Sequence, residues 1–138
     1  MGVVMADLDQ FKRINDLFGH TTGDVALRKV AQRMTSVLRP YDAVGRYGGD
    51  EFLIVLPGCD SAAAADLAER LRSKVAAVPV RVTGEGVPVT ITLGAASSSG
   101  AAGGDVSALV DAADEAMYSA KRAGRNRVAA APAEPVRG

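Results

Sequence analysis

Apolar and polar positions alternate between two periods along this chain. Gly2-Val3-Val4-Met5-Ala6 is a continuous apolar run that ends in Asp7-Leu8-Asp9, the pattern of a buried strand leading into acids. Phe11 to Phe18 predicts a short helix or helical turn, and Gly19-His20-Thr21-Thr22-Gly23 predicts a loop. Leu27, Val30, Ala31, Met34 and Leu38 recur at helical spacing, which predicts a helix over 24–38 that Pro40 ends. From Val44 to Leu56 two short apolar runs flank Gly48-Gly49. They predict a β-hairpin whose glycines supply positive φ angles and let a bulky ligand approach the backbone. Asp60 or Ser61 caps the next helix, striped by Ala64, Leu67, Ala68, Leu71 and Val75 and closed by Pro79. Strands are predicted over 79–83 and 87–96, around Gly84-Glu85-Gly86, and a loop over 97–104. Asp105 caps a last helix striped by Val106, Leu109, Val110, Ala113, Met117 and Ala120, and Gly124 stops it. No internal repeat is visible.

A hairpin cannot belong to an all-parallel sheet, so the sheet is antiparallel or mixed. The expected class is α+β, with helices packed on the sheet. A doubly wound fold is the weaker alternative, because no strand leads into a glycine-rich phosphate loop. The chain of 138 residues is expected to form one domain over 1–128, with an Ala- and Pro-rich disordered tail over 129–138.

Composition narrows the function. Sixteen Lys and Arg against sixteen Asp and Glu argue against a nucleic-acid coat or a membrane-surface patch. Groups that bind phosphate must therefore be local. The single cysteine, Cys59, excludes an internal disulfide and suits a reducing compartment, so the expected location is the cytoplasm. No apolar run approaches a membrane span, no signal peptide is visible, and Ala at position 6 argues against myristoylation of Gly2.

Asp7 and Asp9 end one predicted strand, and Asp50 and Glu51 open another. If the two strands are neighbours, three or four carboxylates converge. Such hard oxygen ligands suit magnesium, which keeps bound phosphate and water. A magnesium cluster beside phosphate points to nucleotidyl transfer. The bland alternative is a set of unrelated surface acids.

Gly48-Gly49-Asp50-Glu51-Phe52 is the GGDEF signature, and the chain resembles the GGDEF diguanylate cyclase family over nearly its whole length. Asp7-Leu8-Asp9-Gln10-Phe11-Lys12-Arg13-Ile14-Asn15-Asp16, Gly19-His20 with Gly23-Asp24, and Ala120-Lys121 with Gly124-Arg125-Asn126 stand in the family's order around it. The resemblance implies the nucleotidyl cyclase fold, a central five-stranded, mainly antiparallel sheet surrounded by helices. It implies condensation of two GTP into cyclic di-GMP with release of two pyrophosphates, magnesium as the cofactor with manganese as the alternative, and a homodimer for catalysis.

The same resemblance implies roles for particular residues. Asp7 and Asp50 match metal ligands, together with the carbonyl of Leu8. Glu51 matches the acid near the metal and the attacking 3′-hydroxyl, with ligation and proton acceptance both open. Asp9 matches a family position that is not a metal ligand. The Phe11 backbone and the Lys12 side chain match phosphate contacts at a helix start. Gly49 lies in the substrate-facing turn. Lys121 and Arg125, about one helical turn apart, address one triphosphate; the bland alternative is a solvated helix end. Asn15 and Asp24 match the pair that reads guanine, and an Asp does accept from the guanine N1–H and N2–H₂ edge. His20 is expected to hold its turn. Arg39 and Asp42 match the family's RxxD inhibitory site, whose bland alternative is a surface ion pair. Arg70 stands where some members have a secondary product-binding arginine.

Family domains usually open with a helix and an Asp-x-Leu-Thr-x-Leu-x-Asn-Arg segment ahead of the first strand, and this chain has neither. The expectation is a catalytic domain shortened at its N-terminus. The alternative function is an inactive module that senses cyclic di-GMP or GTP, and a structural domain without nucleotide ranks third. Incubation with GTP and magnesium separates them.

Overall fold

Val3 to Leu8 is apolar at nearly every position because both faces of this strand are covered. A computed structural model of the chain describes residues 1–82, 84–98 and 106–132. In it β1 (Gly2–Leu8) is buried throughout. Val4, Ala6 and Leu8 join one apolar cluster with residues of α2 (His20–Thr35) and α3 (Ser61–Ala76). Val3 and Met5 join another with Leu109, Ala113 and Met117 of α4 (Val106–Ala123). The sheet is thus a middle layer between helices.

Among the described residues the main sheet has five strands in the order β2-β3-β1-β6-β7. They are β2 (Ala43–Arg46), β3 (Glu51–Leu56), β1, β6 (Ile91–Ser97) and β7 (Val128–Ala130). β1 is antiparallel to both β3 and β6, and β6–β7 is the parallel pair. A separate two-stranded sheet pairs β4 (Val80–Val82) with β5 (Glu85–Val87). Gly94 fixes the seat of α4 on β6: a Cβ there would lie 2.1 Å from the Ala113 carbonyl oxygen and 2.2 Å from the Met117 nitrogen. Only glycine permits that approach.

Several elements sit where the sequence places them. α1 (Phe11–Phe18) is the short helix. Asp60 caps α3 by accepting from the Ala63 N–H at 2.8 Å. The last helix stops before Gly124, whose φ is 134°. Its expected cap, Asp105, lies outside the described residues.

Other boundaries differ, for physical reasons. Residues 20–23, expected as loop, are the first turn of α2, because Gly19 at φ 91° ends α1 and starts α2 without a linker. α2 stops at Thr35 rather than residue 38; Val37 and Leu38 bond back to Met34 and Thr35, a tightening of the last turn before Pro40. Gly48 and Gly49 are not among the positive-φ residues, so the expected positive φ angles are absent. Four residues, 47–50, separate β2 from β3, and this longer loop needs no such turn; the Tyr47 N–H closes it on the Glu51 carbonyl at 2.9 Å. Of the strand expected over 87–96, Val87 ends β5, which takes in Glu85 and Gly86 of the expected connection, and β6 begins only at Ile91, beyond Pro88, which has no N–H to pair. Ala129 and Ala130, expected in the tail, belong to β7 because they pair with Gly94 and Ala95 of β6. Residues 133–138 of that tail lie outside the described residues. Among the described residues no helix is long and apolar enough to cross a membrane.

Candidate active site

The register of β1 against β3 assembles the centre. Asp7 lies directly opposite Glu51, and the Leu8 N–H donates to the Asp50 carbonyl at 3.1 Å. The Asp50 carboxyl lies near enough to Asp7 to push its carboxyl up. Asp7 is 7% exposed, and its Oδ1 is buried with no hydrogen-bond partner. Its Oδ2 accepts from the Lys121 ammonium, which α4 delivers from its last turn. Burial pushes the Asp7 carboxyl up to about 7; Lys121 works against that and Asp50 adds to it. For Lys121 burial pulls downward, but the bond to Asp7 and the nearby Glu51 and Asp50 leave it raised overall.

This carboxylate pair fits a cation. A buried carboxylate oxygen without a donor, beside a second carboxyl, is a cost that a divalent ion removes. Among the described residues no three His, Cys, Asp or Glu side chains gather closely enough to hold a metal on their own. Magnesium does not need three, because phosphate and water complete its shell. The expected convergence of up to four acids is narrower for one visible reason. Asp9 turns its carboxylate to Thr90 and Thr92 and to the backbone of Asn126.

α1 and α2 meet at the second part of the site. Gly23 is buried, and a Cβ there would fall 1.8 Å from Asn15 Oδ1, itself buried without a partner. Asp24 follows on the exposed side of α2 and lines a cavity of about 430 Å³ with Leu27, Arg28, Arg46 and Phe52. Arg46 donates to the Gly49 carbonyl and so ties the hairpin tip to β2. At Gly49 an added Cβ would meet nothing within 4 Å, so its backbone is open to a ligand. Phe11 starts α1, half-buried, with Lys12 exposed beside it.

Lys121 and Arg125 do not continue one helical turn. α4 ends at Ala123, and Arg125 follows Gly124 in a left-handed conformation, φ 64°. Arg125 lines a cavity of about 630 Å³ with Asp9, Gln10 and Arg13. Glu51 and Lys121 line another of about 520 Å³ with Asp114 and Tyr118 of α4. His20 is the exposed first residue of α2.

Arg39 and Asp42 lie apart from this centre, in the turn between α2 and β2. The Arg39 Nη2 donates to Asp42 Oδ1 at 2.7 Å, and Nε reaches both carboxylate oxygens at 3.0–3.1 Å. The Asp42 side chain is fully buried. Nη2 also donates to the Pro57 carbonyl at 2.9 Å and to Cys59 Sγ at 3.2 Å, and the guanidinium lies 4.6 Å over the Tyr41 ring. This is more than a loose surface pair: it ties the α2–β2 turn to the turn after β3. The Arg39 guanidinium holds the Asp42 carboxyl below its usual range. Arg70 is exposed on α3.

The family description "Diguanylate cyclase, GGDEF domain" matches residues 1–127. The chain belongs to the GGDEF domain family. Among curated relatives, the diguanylate cyclase DosC of Escherichia coli is 45% identical over 129 residues, which cover 93% of this chain and 28% of that protein. This GGDEF domain therefore spans less than a third of that relative. The solved GGDEF domain of DgcB from Caulobacter crescentus, in complex with c-di-GMP, matches with TM-score 0.86 and 34% identity, over 94% of this chain and 77% of that one. The GGDEF domain of YfiN, also called TpbB, from Pseudomonas aeruginosa matches with TM-score 0.88 and 35% identity, over 96% and 83%. The nucleotidyl cyclase fold expected from sequence is the fold of these domains.

Three features escaped the sequence reading: the Lys121–Asp7 pair, the Arg46 tie and the Asp9 cluster. The Thr90-x-Thr92 repeat on one strand face was the visible hint of the last.

Proposed function

We propose that this GGDEF domain joins two GTP molecules into cyclic di-GMP and releases two pyrophosphates. Two copies face each other, each supplying one nucleotide. The observation that carries the reading is the β1–β3 register, which sets Asp7 opposite Glu51 with Asp50 in reach. The relatives support it, since that of Escherichia coli is named a diguanylate cyclase and the Caulobacter domain was solved with c-di-GMP.

Asp7, Asp50 and the Leu8 carbonyl would hold magnesium, or manganese in its place. Bound there, the ion offsets charge on the phosphates and on the oxygens that exchange. Glu51 orients the 3′-hydroxyl and takes its proton as the O3′–P bond forms and the bond to pyrophosphate breaks. The Phe11 amide and Lys12 hold phosphate at the start of α1, where the helix dipole favours an anion. Lys121 pairs with Asp7 and turns to the triphosphate with Arg125 when nucleotide binds. Asn15 and Asp24 read the guanine edge, and the open backbone at Gly49 accommodates the substrate. Product binding at Arg39 and Asp42 slows the enzyme. A reaction that consumes GTP places the domain in the cytoplasm.

The test is incubation of the protein with GTP and magnesium, with the products separated and weighed by mass spectrometry. The expected product is a cyclic dinucleotide of two GMP units. Intact GTP after long incubation, with nucleotide binding retained, overturns the cyclase reading in favour of a sensing module.

A further inference from the structure

We infer that Asp9 is a positioning residue for the triphosphate end of this site: it holds the 124–126 turn, and with it Arg125, against the catalytic end of β1. The inference rests on the cyclase reading above. Asp9 is 9% exposed, and both of its carboxylate oxygens are engaged. Oδ1 accepts from Thr92 Oγ1 at 2.5 Å, and Oδ2 accepts from Thr90 Oγ1 at 2.7 Å and from the Asn126 N–H at 3.0 Å. The Asn126 N–H is shared with Thr92 Oγ1 at 3.0 Å. Each of these groups donates, and the two Asp9 oxygens serve as the acceptors.

What Asp9 holds is unusual backbone. Gly124, Arg125 and Asn126 have φ angles of 134°, 64° and 47° in succession. Two non-glycine residues in the left-handed region persist where their surroundings over-determine them. The determinants include the helix end itself, where the Arg125 N–H bonds back to the Ala120 carbonyl at 3.1 Å, Asp9 and Thr92 on the Asn126 amide, and Arg72 of α3, whose Nη1 donates to Asn126 Oδ1 at 3.0 Å. The turn sets Arg125 in the cavity it shares with Gln10 and Arg13, beside the start of α1. Released, Arg125 relaxes to an ordinary φ and its guanidinium leaves the phosphate side. Asp9 therefore acts through Arg125 and touches no substrate itself.

The test measures magnesium-dependent binding of GMP and of a GTP analogue with a methylene between the α and β phosphorus atoms. Asp9→Asn is expected to weaken the analogue about tenfold, the size of one charge-assisted contact, and to leave GMP unchanged. In an Arg125→Ala background the same change should add nothing. Asn126 is exposed, so Asn126→Val, which disfavours the left-handed turn, gives the same loss if Asp9→Asn does not fold. Asn126→Gly, which tolerates the left-handed turn but gives up the Arg72 bond, should lose less than Asn126→Val. Equal loss for both ligands, a full further loss in the Arg125→Ala background, or wild-type affinity in Asn126→Val overturns the inference. A wild-type protein that binds the analogue no better than GMP overturns the active-site reading itself.

Discussion

Asp24 stands on the exposed side of α2, one residue beyond the Gly23 that leaves room for Asn15. Its carboxylate suits the two donors of the guanine edge, whereas adenine offers an acceptor at N1. Asp24→Ser should therefore cut the preference for GTP over ATP by roughly ten- to a hundredfold. Consumption of each nucleotide at equal concentration measures this, and an unchanged ratio removes Asp24 from base reading. Asp42 makes a different kind of contribution. Arg39 depresses its folded pKa below the unfolded value of ~3.9. Its stabilisation is then present above that unfolded value and is lost as pH falls through the folded one. In denaturant titrations wild type should exceed Asp42→Asn by a constant margin from pH 5 to 7, where these pH values bracket the region above ~3.9. The margin should shrink towards pH 3, a point on the order of one unit below it. A margin that holds at acid pH contradicts the ion-pair account. At this scale Asp7, Asp50 and Glu51 were legible as candidates because each stands at the end of an apolar run. The Asp9 cluster was not, because Thr90, Thr92 and Asn126 lie at least 81 residues away along the chain.

Elements hold these residues by close approach. α4 rests on β6 at Gly94 and carries Lys121 to Asp7. Gly94→Ala forces a Cβ into helix backbone that cannot yield, and should cost ~1–3 kcal/mol of stability, read from urea unfolding. A neutral change would mean that α4 is not seated there. The turn between α2 and β2 carries the Arg39–Asp42 pair proposed as the feedback site. A third of the Arg39 side chain remains exposed, 34%, so a ligand can reach it while Asp42 anchors it. Arg39→Ala should weaken product binding roughly ten- to a hundredfold. It should also lower thermal stability, because it strands a buried carboxylate. The measurement is a progress curve with added cyclic di-GMP. If product slows wild type and variant equally, inhibition is competition at the active site. Helix and strand periods were legible for β1, α1, α3 and α4. The α1–α2 junction was hidden because Gly19 and Gly23 read as loop residues, while the structure uses one to break the helix and the other to pack it. β7 was hidden because Ala129 and Ala130 have no strand-like side chains; their pairing partner, not their chemistry, makes them a strand.

At the scale of the whole molecule the sheet order was not readable from sequence. That β1 sits between β3 and β6 decides whether the two acidic segments meet, and spacing along the chain is silent on it. One copy presents a single β1–β3 centre, and a ring closed by two O3′–P bonds calls for two centres facing each other. Synthesis should therefore rise faster than linearly with protein concentration until the dimer saturates. The most direct measurement quantifies cyclic di-GMP and pyrophosphate together, from GTP and magnesium, across a protein dilution series of wild type and Asp50→Ala. Two pyrophosphates per cyclic product, a rate per chain that grows with concentration, and no product from Asp50→Ala despite an intact fold by circular dichroism are expected. Near-wild-type synthesis by Asp50→Ala would contradict the cyclase reading.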